Sequence, residues 1–203
     1  METTMKMSRG LRNNNPGNIV KSAAKWQGEV EGSDSRFCTF NNMTHGYRAL
    51  LLLLDTYQRK HGCTTLTKIF QRYCPASTQG DDPKRYARNV ADFISRHLQT
   101  VGQEGWEPDD ELPRLLPDGY VPNVGTLTLM MCLLMGITLV ENGKRAVEEW
   151  RDANDNPIEL HLVNAIKLVL YMKYGMEESR VMLKEFLRQS GWASSAEAVK
   201  NVQ

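Results

Sequence analysis

Two groups of side chains in this sequence could take part in chemistry, and the first is a single glutamate. Glu141 directly follows the longest apolar run of the chain, Leu127–Val140, which reads LTLMMCLLMGITLV. A carboxyl group in apolar surroundings resists ionisation, so its pKa rises and it can serve as a general acid near neutral pH. The negative end of a helix acts in the same direction. The alternative is a solvated carboxylate in front of the helix stop Gly143.

The second group is a cluster of asparagine side chains in the segment 8–18, SRGLRNNNPGN, which is dense in turn-forming residues. An amide side chain both donates and accepts hydrogen bonds, so these asparagines could bind the polar groups of a ligand. They could equally fix the loop through turns of their own backbone, with Gly17 at positive φ. The sequence leaves both roles open for Asn13, Asn14, Asn15 and Asn18.

Other classes of site find little support in the sequence. His45 and His61 have no cysteine or histidine partner at metal-ligand spacing, and the four cysteines form no C-x-x-C pair, so we expect neither a metal nor a cofactor. The formal net charge of +1 argues against a general nucleic-acid binder. Met1–Leu11 is polar and predicts no signal peptide. Leu127–Val140 is shorter than the roughly 20 apolar residues of a membrane span, so we expect a core helix.

The periodicity of apolar residues predicts a mainly α chain with a small β-hairpin (α+β). Lys25–Val30 and Arg36–Phe40 are expected to form two short strands joined by a polar turn. Residues 76–82 and 100–123 are expected to be irregular, with Trp106 and the leucines of the second segment buried. The predicted helices are Thr44–Lys60, with Thr44 as N-cap and Gly62 as stop, and then Thr65–Tyr73, Lys84–Leu98, Leu127–Val140, Ala146–Trp150, Ile158–Tyr174 and Glu177–Ser190.

Several motifs occur in an order that resembles a known family. They are RGLRNNNPGNIV (residues 9–20), WQGE (26–29), FCTF (37–40), HGYRALLLLLDTY (45–57), TLTKIFQRYCP (65–75) and RYARNVADFI (85–94). This succession resembles the virion-associated, lysozyme-like proteins of phages and prophages, whose pattern begins RGxRNNNPxNI. One departure is Tyr73, where that family usually carries tryptophan. The likeness covers roughly residues 8–145.

The resemblance implies a lysozyme-like domain over residues 1–145 and a C-terminal helical extension over residues 146–203. In lysozyme-like peptidoglycan hydrolases, a catalytic glutamate ends a buried helix and is followed by an asparagine-rich loop, a hairpin and a Y-A-x-x-V segment. Here the loop, the hairpin and Tyr86–Val90 keep that order, but the glutamate-bearing helix comes last. This order predicts a circular permutation in which Glu141 lies beside the Asn13–Asn18 loop.

The activity that the resemblance implies is cleavage of the glycan strands of peptidoglycan, by a muramidase, a glucosaminidase or a lytic transglycosylase. Glu141 would protonate the leaving oxygen, and a second carboxylate would stabilise or trap the cation. The hairpin offers Glu29, Glu31 and Asp34 for this second role, although each is equally explained as a surface residue. A lytic transglycosylase would need no second carboxylate, because the 6-hydroxyl of the substrate can attack.

Peptidoglycan is therefore the predicted partner, and the chain is expected in the cytoplasm of the producing bacterium or in a virion, acting at the cell wall. The alternative is a non-catalytic virion protein that keeps a lysozyme-like fold and docks to other virion or delivery-system proteins through residues 146–203. The asparagine amides would bind acetamido sugars, and two aromatic rings could stack on sugar faces or belong to the core. The candidate binding residues are Asn13, Asn14, Asn15, Asn18, Trp26 and Tyr86.

Overall fold

The computed structural model describes residues 7–76, 82–100 and 104–190 of the 203-residue chain. The predicted irregular segments 76–82 and 100–123 therefore lie partly outside the described residues, as does the end of the predicted extension, 191–203. The same holds for most of the polar N-terminal segment.

The described chain is mainly helical with one small antiparallel hairpin, which confirms the predicted fold class. The strands are β1 (Glu29–Val30) and β2 (Thr39–Phe40). The helices are α1 (Arg9–Arg12), α2 (Met43–His61), α3 (Leu66–Tyr73), α4 (Pro83–Thr100), α5 (Val124–Asn142), α6 (Lys144–Glu149), α7 (Ile158–Tyr174) and α8 (Met176–Gln189).

The hairpin is shorter than the predicted strands because its outer part pairs with a different segment. Glu29 pairs with Phe40 and Val30 pairs with Thr39. The start of the second predicted strand pairs instead with the chain that follows the asparagine loop, through a bridge between Val20 and Phe37. Strand pairing therefore ties the asparagine loop to the hairpin.

Helix α2 begins one residue before the predicted start, and its cap is not Thr44. The Asn42 side chain caps the helix by accepting a hydrogen bond from the His45 N–H. Thr44 lies inside the first turn, where its hydroxyl contacts the His161 ring at 2.9 Å. The predicted stop is confirmed, because Gly62 adopts the left-handed conformation at φ 62°.

Helix α5 forms the centre of the core, as its uniformly apolar sequence predicts. Thirteen of its residues, from Leu127 to Thr138 together with Asn142, are buried. In the described part of the chain it is the one helix long and apolar enough to cross a membrane. Its burial against α4, α6 and α8 is what a central core helix requires.

The C-terminal helices pack onto the rest of the described chain. Helix α7 lies against α2, and α8 lies against α5 and α7. Trp150 is buried at the start of this region and makes an edge-to-face contact with His161, with ring centroids 5.5 Å apart. The side chains that α7 and α8 bury belong to the same core as those of α2 and α5. The domain boundary near residue 145 stays a prediction.

The described part of the segment before α5, residues 104–123, has no helix or strand but is held in place. Leu112, Leu115 and Leu116 are buried as predicted, whereas Trp106 is half-buried. The Arg59 guanidinium donates to both Asp118 oxygens, at 2.7 and 3.0 Å, and thereby fastens this segment to α2.

Candidate functional site

The backbone of the asparagine loop takes its unusual conformations at asparagines. Asn14 and Asn18 adopt positive φ angles of 50° and 47°, which asparagine tolerates better than most residues. The prediction of positive φ at Gly17 was wrong. Gly17 is required for space instead, because an added Cβ would lie 2.5 Å from the Tyr73 hydroxyl and 2.8 Å from Leu50. The loop therefore lies directly against α2 and α3.

Three of the four asparagine side chains hold the loop together. Asn15 is fully buried; its amide donates to the carbonyl oxygens of Ile19 and Cys38, and its oxygen accepts from the Ile19 N–H. Asn14 donates to the Phe40 carbonyl oxygen at 3.1 Å. These contacts occupy both side chains within the fold, which favours the structural reading for them.

Asn13 takes part in the same scaffold through the hairpin. It donates to Asp34 at 3.2 Å, and its carbonyl oxygen accepts from the Phe40 N–H. The Asp34 carboxylate in turn accepts from the backbone N–H groups of Arg36 and Phe37. Hydrogen bonds from these two N–H groups lower the pKa of Asp34 below its ordinary value. Asp34 is therefore a turn-stabilising carboxylate between loop and hairpin.

Asn142 joins the asparagine loop to the end of α5. Its buried amide donates to the Pro16 carbonyl oxygen at 2.9 Å and to the Thr138 carbonyl oxygen at 3.0 Å. Its side-chain oxygen accepts from the Ser8 hydroxyl at 2.8 Å. Asn142 was not among the site residues predicted from the sequence. A buried polar residue at the end of an apolar helix was the signal for this role.

Glu141 lies beside the asparagine loop, which confirms the prediction of their proximity. The Asn18 amide donates to Oε2 of Glu141 at 2.7 Å, and the Tyr86 hydroxyl donates to Oε1 at 2.8 Å. Glu141 is half-buried in the last turn of α5. The structure thus brings together three predicted site residues that are far apart in the sequence.

Aromatic side chains from α3 and α4 form one side of this site. The rings of Phe70 and Tyr86 are stacked with centroids 4.2 Å apart, and Tyr73 meets Tyr86 edge to face at 6.0 Å. The Tyr73 hydroxyl donates to the Gly17 carbonyl oxygen. Burial, followed by the negative charge of Glu141, raises the pKa of Tyr73 well above its ordinary value. This phenol therefore stays neutral and remains a hydrogen-bond donor.

Tyr86 also has a raised pKa, because its side chain is largely buried. Burial raises its pKa well above the ordinary value, and the neighbouring Tyr73 and Glu141 add to the shift. Its hydroxyl is directed at Glu141, so this residue positions the carboxylate while its ring packs against Phe70. Tyr86 was predicted from the sequence as a site residue, whereas Tyr73 was noted only as a departure from the family pattern.

One polar atom at the site has no hydrogen-bond partner in the described part of the chain. It is Oδ1 of Asn18, which is buried while the amide nitrogen of the same side chain is bound to Glu141. A buried acceptor that is left unsatisfied costs free energy, roughly 1–3 kcal/mol. An N–H or O–H group of a ligand would satisfy it. Among the loop asparagines, Asn18 therefore binds Glu141 and also keeps one acceptor atom without a partner in the described part of the chain.

The other hairpin carboxylates have different environments. Burial alone would raise the pKa of Glu29, because it disfavours the charged form. The Glu29 carboxylate accepts hydrogen bonds from the Trp26 N–H at 3.0 Å and from the Lys25 ammonium at 2.9 Å, and these outweigh burial and lower its pKa. These partners belong to the hairpin region itself. Glu31 is exposed, and Trp26 is half-buried against the core. Their predicted roles in catalysis and sugar binding stay predictions.

Comparison with known proteins gives a partial similarity. No protein-family model matches the chain. A curated relative, "Protein P5" of Pseudoalteromonas phage PM2, is 39% identical over 88 residues. This stretch covers 41% of the present chain and 54% of the phage protein, so the chain spans about half the length of the curated relative it matches. Part of this sequence is therefore similar to a phage protein.

Proposed function

We propose that this protein cleaves the glycan strands of peptidoglycan and that Glu141 is the general acid. The observation that carries the proposal is the position of the Glu141 carboxylate at the end of the central apolar helix, where Asn18 and Tyr86 each bind one of its oxygens. The family resemblance of the motifs and the partial similarity to a phage protein are consistent with an enzyme of phage or prophage origin.

In the proposed reaction the protonated Glu141 gives its proton to the glycosidic oxygen as the bond to the anomeric carbon breaks. The resulting cation is captured by water or by the 6-hydroxyl of the same sugar, and the proton lost by that nucleophile returns to Glu141. Asn18 and Tyr86 fix the orientation of the carboxyl group. The unsatisfied Oδ1 of Asn18 would accept a hydrogen bond from the acetamido N–H of the substrate.

The test is incubation of the purified protein with isolated peptidoglycan sacculi, followed by mass spectrometry of the soluble fragments. A lytic transglycosylase leaves 1,6-anhydromuramic ends, whereas a hydrolase leaves reducing ends. The variants Glu29→Gln and Glu31→Gln should slow release only if a second carboxylate takes part. Failure to release fragments from sacculi at any pH between about 4 and 8 would overturn the proposal.

A second candidate is a virion structural or interaction protein without turnover. The hydrogen bonds to Glu141 favour it in one respect, because both carboxylate oxygens already have partners within the fold, as in a purely structural contact. In that case the protein would bind sacculi or another virion protein and release nothing. Binding and release measured on the same sample separate the two candidates.

A further inference from the structure

A groove with a volume of about 640 Å³ lies between the C-terminal half of α2 and the outer face of α3. We call it the α2–α3 groove. Tyr57 and His61 lie along one side, and Lys68 and Arg72 lie along the other. The guanidinium of Arg72 is placed over the Tyr57 ring, 5.4 Å from its centroid. The groove thus combines an aromatic surface with cationic side chains.

The groove carries positive charge that no carboxylate of the described residues balances. None of the described residues that line it is acidic. Within the described ranges, neither Lys68 nor Arg72 forms an ion pair, whereas several other arginines, such as Arg59 and Arg88, do. Two exposed, unpaired cations beside a concave surface attract an anionic ligand, because each can form a charge-assisted hydrogen bond with it.

The groove and the Glu141 site lie on either side of Tyr73. Helix α3 carries Lys68 and Arg72 on the side of the groove, and it carries Phe70 and Tyr73 on the side of the Glu141 site, where both rings contact Tyr86. Tyr57 lines the groove, and the Tyr73 hydroxyl binds the Gly17 carbonyl oxygen in the loop next to Glu141. A ligand long enough to pass over Tyr73 would occupy both places.

We propose that the α2–α3 groove binds the carboxylates of the peptide stem that peptidoglycan carries on its muramic acid residues. This inference rests on the proposed function for the choice of substrate. Lys68 and Arg72 bind the carboxylate groups, and Tyr57 packs against the aliphatic part of the peptide. The groove thereby selects glycan strands that carry stems and holds them next to Glu141.

The direct test is titration of the whole protein with a free stem tripeptide, L-alanyl-γ-D-glutamyl-diaminopimelate, followed by NMR or calorimetry. The double variant Lys68→Gln/Arg72→Gln should bind it about tenfold more weakly, since each exposed charge pair contributes up to about 1 kcal/mol. The matched control Lys84→Gln/Arg85→Gln removes two exposed cations from α4 and should bind as the wild type does. A charge-preserving Arg72→Lys variant should retain most of the affinity.

The outcomes separate this inference from the proposed catalysis. Glu141→Gln should bind the tripeptide as tightly as the wild type. If the wild type binds the tripeptide but releases no fragments from sacculi, the assignment of the groove stands and only the catalytic role of Glu141 is removed. The peptide with amidated carboxylates should bind about tenfold more weakly. Equal binding by the double variant, equal binding of the amidated peptide, or tighter binding of inorganic phosphate would overturn the proposal.

Discussion

The Asn18 amide and the Glu141 carboxylate are 123 positions apart in the sequence, and they form a hydrogen bond of 2.7 Å. Asn18 reaches this position because it adopts a positive φ at the end of a loop fixed by Asn15. Glu141 reaches it because the neighbouring Asn142 fastens the end of α5 to the same loop. The contact therefore depends on buried amides on both sides, which a surface ion pair would not require.

Asn18→Asp should raise the pH at which the proposed activity is lost on the alkaline side. Aspartate has the same shape and tolerates the same backbone conformation, but it places a second carboxylate next to Glu141. Two neighbouring carboxylates cannot both ionise readily, so one proton is held to higher pH. The pH profile of kcat/KM should shift by about one unit or more. The control is Asn89→Asp, which changes an exposed residue of α4. An unshifted pH profile in Asn18→Asp would show that Asn18 does not influence the proton of Glu141.

Gly17→Ala should destabilise the protein, although Gly17 has an ordinary backbone conformation. The added methyl group would overlap the Tyr73 hydroxyl and Leu50, and overpacking of this kind costs about 1–3 kcal/mol. Gly125→Ala is the matched control, because its Cβ would meet its nearest neighbour at an ordinary 3.5 Å inside a helix. That change should stabilise by up to about 1 kcal/mol. Urea unfolding measures the stability of both variants. If Gly17→Ala were as stable as the wild type, the loop would not lie against α3.

Asp152→Asn should lower the free energy of unfolding at neutral pH but have little effect in acid. Burial raises the pKa of Asp152, but bonds from Asn156, Asn154 and His161 outweigh it and lower the pKa to about 2. A carboxylate with a depressed folded-state pKa stabilises the fold above its unfolded value, near 3.8, and this contribution disappears as pH falls toward 2. The loss at pH 7 should be about 2 kcal/mol. Urea unfolding from pH 7 down to about 2.5 measures it.

The control for that experiment is Asp109→Asn, which removes an exposed carboxylate outside this cluster. A stability difference between the Asp152→Asn variant and the wild type that stays constant between pH 7 and pH 2.5 would contradict the assignment. So would a difference that grows as the pH falls.

The sequence alone predicted seven of the eight described helices, all except the four-residue α1, and it predicted that Glu141 lies beside the asparagine loop. Apolar periodicity is a local property, and it defined α7 at both ends. The order of the motifs predicted that Glu141 lies beside the asparagine loop, because the family resemblance implies a permuted arrangement of the same elements, which stays a prediction. Apolar periodicity and the order of motifs can both be read from the sequence without knowing any tertiary contact.

The sequence could not show which polar side chains form their hydrogen bonds within the fold. Asn13, Asn15 and Asn18 have the same side chain, yet their partners are Asp34, backbone carbonyl oxygens and Glu141 respectively. The same limit explains the wrong cap at Thr44, since the choice of Asn42 leaves the threonine hydroxyl for His161, more than a hundred residues away. Such long-range pairings follow from packing and leave no periodic signal.

Glu141 is the proposed general acid, and the rate at which the Glu141→Gln variant releases fragments from sacculi tests this role. Glutamine should preserve the fold, because its oxygen can accept from Asn18 while its amide donates to the Tyr86 oxygen. Glu149→Gln, an exposed change on α6, is the control. We predict an unchanged melting temperature and a rate reduced by about 10²–10⁴-fold in Glu141→Gln, with the control at the wild-type rate. A Glu141→Gln protein that releases fragments at the wild-type rate would contradict it.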